Sequence, residues 1–78
     1  MIIKIIWDFR GEDSEQTAIH HAIHLKEFCT KEKLEVNKVA HTVMNEFHSI
    51  AFIQTDKKNV IVIRDALKPH RAEVVNNL

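Results

Sequence analysis

The chain has 78 residues, 45% of them hydrophobic and 28% charged, and eleven basic residues balance eleven acidic ones. These values predict a single globular domain, residues 1–78, and exclude intrinsic disorder. A neutral chain lacks the net positive field that attracts nucleic acid or an anionic membrane, so we expect neither partner. No apolar run approaches the roughly 20 residues of a transmembrane helix.

The cysteine content and the length favour a cytoplasmic protein that self-associates. Cys29 is the single cysteine, so no disulfide can form within the chain, and a reducing compartment is favoured. Strand-like sequence follows Met1 directly, which leaves no signal peptide. A chain this short buries only about 60–65% of its unfolded surface. Because oligomerisation is a common remedy for a thin core, we expect a homodimer or a larger homo-oligomer.

Residues 2–9 alternate as a strand does. The odd positions form an apolar face, made of Ile3, Ile5, Trp7 and Phe9. The even positions form a mixed face, made of Ile2, Lys4, Ile6 and Asp8. The pattern predicts a central strand with helices on its odd face and a second subunit against its even face. Gly11 then suits a tight turn.

Residues 13–34 predict a long amphipathic helix. Its apolar stripe consists of Ala18, Ala22, Leu25 and Cys29, which share one face at helical spacing. We expect Asp13 to be the N-cap and Gln16 to complete a capping-box variant. Cys29 is predicted to be a buried core residue and not a nucleophile.

The middle of the chain permits two interpretations. Residues 36–47 have a clean helical stripe, yet they also alternate as a strand that would turn into a second strand over residues 49–55. Strand is preferred for 36–47 because of the resemblance described below. The alternative is a helix there, which gives a βααββα order and a three-stranded sheet.

Residues 57–68 predict a second helix, capped by Asp56 and ended by Pro69, which disfavours the helical conformation at Lys68. Four β-branched residues at positions 60–63 would serve equally well in a strand. Residues 72–75 predict a short final strand or the tail of a helix.

The order of elements resembles the ferredoxin-like βαββαβ plan. The run from Phe47 to Ile53, which leads into Asp56, and the later run from Arg64 through His70 to Val75 resemble the second half of small domains in the dimeric α+β barrel superfamily. This resemblance implies an α+β fold with a four-stranded antiparallel sheet and two helices on one face. It also implies that the sheet face is used for dimerisation and, in some relatives, that a small molecule binds between helices and sheet.

Asp8 and His48 are the candidates for acid–base chemistry. Asp8 is at the exit of the first strand and His48 at the entry of a central strand, so both could face one cleft. Histidine titrates near neutral pH and can move a proton to or from a polar substrate. Solvent-exposed strand ends are the alternative interpretation, so whether the protein is an enzyme stays open.

Two further sets of residues are candidates for binding. The basic residues Arg64, Lys68, His70 and Arg71 could hold a phosphate or carboxylate, and Trp7 and His21 could line a ligand pocket. His20 and His24, four residues apart on a helix, could chelate a divalent transition metal. No cofactor is expected otherwise, because one glycine cannot build a phosphate-binding loop.

These observations support a small dimeric domain that binds a small molecule between the first helix and the sheet. The alternatives are a non-catalytic interaction or oligomerisation module and a histidine-based metal-binding protein.

Overall fold

The computed structural model describes residues 1–75 as an α+β arrangement of four strands and two helices. In chain order these are β1 (Ile2–Arg10), α1 (Ser14–Lys31), β2 (Lys38–Asn45), β3 (His48–Asp56), α2 (Val60–Leu67) and β4 (Arg71–Val75). A 3₁₀ turn, Lys57–Asn59, precedes α2. The order is the predicted βαββαβ order, and the last three positions of the predicted 1–78 domain lie outside the described residues.

The strands form one sheet in the order β2-β3-β1-β4, and every neighbouring pair is antiparallel. The centre of the sheet is the long β1–β3 pairing, in which Ile5 lies opposite Ile53 and Ile6 opposite Phe52. β2 and β4 are the two edge strands. The prediction of a four-stranded antiparallel sheet is confirmed.

Both ambiguous segments took the preferred structure. β2 falls within residues 36–47, where pairing with β3 places Val39 opposite Ile53 and Ala40 opposite Phe52, so the alternative three-stranded sheet is wrong. Residues 60–63 are helical despite their β-branched side chains. Ile63 is fully buried while Ile61 is 60% exposed, and this one-sided burial outweighs the weak intrinsic propensity.

The two faces of the sheet are covered differently. The main core lies between the sheet and both helices, and it consists of Ile5, Trp7, Leu25, Cys29, Ala51, Ile53 and Ile63. A smaller apolar cluster, consisting of Ile6, Ile50 and Phe52 with Ala40 beside it, lies on the opposite face. We call that second face the open face, because α1 and α2 both pack on the other one. Cys29 is a core residue as predicted, and burial raises its pKa.

The helix ends confirm one predicted cap and correct another. The Asp56 carboxylate accepts a hydrogen bond from the Lys58 N–H, and Lys68, just before Pro69, ends α2 in the left-handed conformation at φ 48°. Asp13 is the N-cap of α1, but its side chain makes no capping bond, so the predicted capping box is wrong. With φ −93° and ψ 11°, Asp13 is outside the extended conformation that a capping side chain needs.

The loop before α1 turns at Gly11, whose φ of 117° suits glycine. Within the described residues, neither helix combines the length and the apolar character needed to cross a bilayer.

Candidate functional site

The predicted site residues gather around the last turns of β1, on its two sides. Side chains alternate along a strand, so Trp7 and Phe9 face the helices while Asp8 faces the open face. Two separate groups of polar and aromatic residues result. One surrounds Asp8, and the other surrounds His21 of α1.

Asp8 and His48 are in direct contact, as the sequence had suggested. His48 Nε2 donates to Asp8 Oδ1 over 2.7 Å, and both side chains are about 15% exposed, at 14% for His48 and 16% for Asp8. Antiparallel pairing explains the contact, because Asp8 lies opposite Ile50 and His48 is two residues before it on the same face.

Arg71 completes the group around Asp8. Its Nε donates to Asp8 Oδ2 over 2.9 Å and its Nη2 to Asp8 Oδ1 over 3.1 Å, which is the two-pronged geometry that guanidinium and carboxylate favour. A third nitrogen, Nη1, donates to Glu73 over 2.7 Å. Arg71 is therefore occupied by two carboxylates of its own chain and is not free for an anionic ligand.

These contacts fix the charge of Asp8. The hydrogen bonds from Arg71 and His48 lower its pKa from 3.8 to about 2, against the opposing effect of partial burial. The carboxylate also raises the pKa of Arg71. At neutral pH Asp8 is thus an ionised acceptor, a role that suits orientation of His48 and not proton donation.

His70 closes the edge of β1 beside this group. β4 begins at Arg71, opposite Ile6, so the Asp8 N–H lies beyond the last strand pair. The His70 side chain takes that place, and its Nδ1 accepts the Asp8 N–H over 2.7 Å. A nitrogen that accepts a hydrogen bond carries no proton, so this contact requires a neutral His70 with its proton on Nε2.

The second group lies beneath α1 and contains His21. The imidazole ring is 5.3 Å from the Trp7 ring and 5.2 Å from the Phe9 ring, centroid to centroid. Phe9 also lies 6.5 Å from the ring of His70. Trp7 donates from Nε1 to the Leu67 carbonyl over 2.9 Å, which ties β1 to the end of α2.

His21 Nε2 is buried without a hydrogen-bond partner. Burial is the main cause that lowers the pKa of His21 below 6.5, and the nearby His24 and His70 lower it further. A buried polar atom without a partner costs about 1–3 kcal/mol. Within the described residues this is the one buried side-chain nitrogen or oxygen left in that state.

The ring of His21 borders a shallow cleft of about 500 Å³ on α1. The other lining residues are Asp13, Gln16, Thr17, His20 and His24. The cleft is open to solvent on one side, and on the other it reaches the aromatic group through His21. Of the two residues predicted to line a ligand pocket, His21 borders this cleft and Trp7 is not among its lining residues.

The remaining predicted ligand residues are dispersed. Arg64 donates to the neighbouring Asp65 and is 61% exposed, and Lys68 is the C-cap of α2. The contacts therefore divide the four basic residues between a helix surface, a helix end and the group around Asp8. Binding of an anion by these residues stays a prediction.

The predicted metal pair is close in space, but residues 1–75 place no third histidine, cysteine, aspartate or glutamate ligand beside it. The rings of His20 and His24 are 4.7 Å apart, centroid to centroid, on the exposed side of α1. Across residues 1–75, no group of three or more histidine, cysteine, aspartate or glutamate side chains is placed to hold a metal ion. The pair offers two imidazoles, fewer than the three protein ligands of a typical catalytic zinc site.

Sequence reasoning missed two residues of these groups. Phe9 contacts both His21 and His70, and its place on the same strand face as Trp7 could have identified it. Glu73 binds Arg71, and only the register of β4 reveals that contact.

Comparison of the chain with protein-family models, curated proteins and solved structures gave no match.

Proposed function

We propose that this chain is a ferredoxin-like, cytoplasmic domain that binds a small molecule between α1 and the sheet. The βαββαβ order and the sheet order β2-β3-β1-β4 support the ferredoxin-like assignment. The single observation that carries the functional proposal is the buried, unpartnered Nε2 of His21.

The buried, unpartnered Nε2 of His21 costs the folded chain free energy. A chain this small has little stability to spare, yet it keeps a polar atom that costs free energy and that a phenylalanine would not have. A ligand that hydrogen-bonds to Nε2 removes this cost. Such a ligand reaches the nitrogen through the cleft on α1, because the His21 ring forms part of the cleft wall and imidazole rings rotate about Cβ–Cγ over a broad range.

The surroundings of His21 define the class of ligand. Phe9, which is partly buried and 5.2 Å from the His21 ring, offers an aromatic surface that favours a flat ring. Trp7 is only 3% exposed and senses the site through its contact with His21. Gln16 and Thr17 at the cleft mouth offer polar contacts. The expected ligand is thus a small heteroaromatic molecule with one hydrogen-bonding group directed at His21. The group around Asp8 has no part in this binding, and His48 as an acid or base stays a separate prediction.

Trp7 provides a direct assay by NMR, because it is the one tryptophan of the chain. A set of flat heteroaromatic fragments, each with one donor or acceptor, is titrated into the ¹⁵N-labelled full chain. Binders are expected to shift the Trp7 indole resonance and the His21 ring nitrogens together. The matched variants are His21→Phe, which should weaken binding at least about tenfold because a buried hydrogen bond is lost, and His41→Phe, at an exposed histidine outside the cleft, which should leave it unchanged.

Three outcomes would overturn the proposal. In the first, no fragment shifts the Trp7 indole at millimolar concentration. In the second, fragments bind but shift residues away from α1 and β1. In the third, His21→Phe binds the fragments as tightly as the natural chain does.

A further inference from the structure

Several exposed apolar side chains lie beside β2, and others lie on α2 and β4, namely Ile61, Val62 and Val74. On the open face Ile6, Ile50 and Phe52 are only 1%, 2% and 4% exposed within one chain, so a partner there would gain little apolar contact. Beside β2, by contrast, Val43 is 47% and Met44 52% exposed. Val43 lies on the helix-covered face, opposite Ser49, and Met44 follows it at an irregularity of the strand pairing between Val43 and Asn45.

α1 extends this apolar surface. Ile19 and Ile23 are 39% and 55% exposed, and helical spacing puts them on one stripe with Lys26 and Thr30. Lys26 and Thr30 line a cleft with residues 36–39 at the start of β2, so the stripe faces the β2 side of the molecule. His21, on the opposite flank of α1, contacts β1 instead. We call Ile19, Ile23, Val43 and Met44 the edge patch.

The two edges of the sheet differ in the features that prevent strand pairing between molecules. Edge strands are usually protected by shortness, charge, proline or β-bulges. β2 has one irregularity of pairing, between Val43 and Asn45 near its end, and residues 38–43 pair regularly with β3. β4 has five residues and includes Arg71 and Glu73. β2 has eight residues, and Lys38 at its start is its only lysine, arginine, aspartate or glutamate. Its outer backbone groups have no strand partner, since β2 ends the sheet.

We propose that a second copy of this chain pairs with β2, antiparallel about a two-fold axis, so that two four-stranded sheets become one sheet of eight strands. In this arrangement each β2 supplies the missing strand for the other. The centre of the strand holds no lysine, arginine or carboxylate, so a two-fold axis there brings no such like charges together. The Ile19 and Ile23 side chains of both copies meet above the new strand pair.

The geometry of α1 fits this assembly. α1 packs over β2 and β3 more than over β1, so its axis lies about one strand spacing, or about 5 Å, from the two-fold axis. The two α1 helices would then run antiparallel about 10 Å apart, which is the distance of packed helices. Ile23, near the middle of α1, lies close to the axis and fills the space between them.

The area also suffices. β2 has eight residues and is therefore about 27 Å long, and the thinnest dimension of the molecule is 18 Å. The side of the molecule at β2 is thus roughly 500 Å² on each copy and about 1,000 Å² in total, which reaches the size of a specific interface. This inference does not depend on the ligand proposed above.

Sedimentation velocity of the full chain from 1 to 200 µM tests the proposed dimer. The natural chain should sediment as a dimer, about twice the 9.1 kDa of one chain. Ile23→Glu and Val43→Lys, each tested separately, should raise the dimer dissociation constant about 100-fold or more, because each buries two unpaired charges near the axis. Both positions are about half exposed, so each variant should keep the circular dichroism of the natural chain.

Two control variants decide between surfaces. Ile61→Glu makes the same change on α2, at a position 60% exposed, and should leave the dimer intact. Lys4→Glu alters the open face, where Lys4 Nζ lies 4.4 Å from the centre of the Phe52 ring, and should also leave it intact. A natural chain that stays monomeric at 200 µM overturns the proposal. So does a dimer that survives Ile23→Glu and Val43→Lys, or one that Lys4→Glu alone dissociates.

Discussion

Two half-buried histidines on opposite sides of β1 are treated in opposite ways. On the open face, His48 donates to an ionised carboxylate, which in turn is held by Arg71. Beneath α1, His21 lies between two aromatic rings and its Nε2 has no partner. A histidine held by an ionised carboxylate belongs to the framework of the fold. A histidine with a buried, unpartnered nitrogen offers a hydrogen bond that a ligand can complete, so we place binding at His21.

Removal of the charge of Asp8 should change the free energy of unfolding more than acidification at His21 or the addition of zinc does. Asp8→Asn leaves Arg71 and His48 without their ionised partner. We expect it to lower the free energy of unfolding by about 1–2 kcal/mol at pH 7. This is less than the lowered pKa of Asp8 alone would imply, because Arg71 is 41% exposed and solvent screens the ion pair. The pKa of Asp8 is lowered to about 2, so its contribution is complete above pH 4 and is lost as the pH falls toward 2.

Urea unfolding at pH 7, 4 and 2.5 checks this. The gap between Asp8→Asn and the natural chain should narrow at the lowest pH. Asp65→Asn is the matched control, because Asp65 is 64% exposed in its contact with Arg64, and its effect should stay below about 0.5 kcal/mol. An Asp8→Asn protein as stable as the natural chain at pH 7 would show that the group on the open face contributes nothing to stability.

Acidification should have the next largest effect on the free energy of unfolding, and it acts through His21, on the helix-covered side of β1. Burial lowers the pKa of His21 below 6.5, so the unfolded chain binds a proton more readily than the folded chain does. The contribution of neutral His21 is therefore complete above about pH 6.5 and is lost as the pH falls through the folded pKa. We expect a loss of about 1 kcal/mol between pH 7 and 5.

The change in stability from pH 7 to 5, measured by urea unfolding, should shrink by this amount in His21→Phe. It should persist in His20→Phe, since His20 is exposed on the outer side of α1. Equal pH dependence in His21→Phe and in the natural chain would contradict the burial of an ionisable ring at this position.

Zinc should have the smallest effect. His20 and His24 offer two imidazoles without a third ligand in the described part of the chain, so we expect 1 mM zinc to raise the melting temperature at pH 7.5 by no more than about 2 °C. The rise should be smaller at pH 5.5, because protons compete with a metal for its ligand atoms. A rise of about 10 °C that disappears in the His20→Ala, His24→Ala variant would instead establish a metal site.

The sequence, through its resemblance to the ferredoxin-like plan, predicted the element order and the four-stranded sheet, and it placed Asp8 and His48 where both could face one cleft. Alternation along β1 and the preference for strand at residues 36–47 were sufficient for this. It could not predict that Arg71 binds Asp8, because that contact depends on the register that sets Arg71 opposite Ile6. It also could not show that His21 Nε2 lacks a partner, since this depends on how one ring packs between Trp7 and Phe9.

The predicted capping box at Asp13 was wrong for a similar reason. A capping motif records residue types and spacing, whereas the capping bond depends on the backbone angles of Asp13. Arg64 donates to the neighbouring Asp65, whereas His70 and Arg71 both contact Asp8. Nearness in sequence could not predict these separate partners.

The stability of His21→Phe and His21→Leu at pH 7 tests the central claim most directly. If Nε2 is buried without a partner, an apolar side chain removes its desolvation cost, and at least one of the two variants should be more stable than the natural chain by about 1 kcal/mol in urea unfolding. The same variant should have lost the fragment binding reported by Trp7. If both variants are instead less stable by 1 kcal/mol or more, the His21 nitrogen has a structural partner within the chain, and the proposed binding site is wrong.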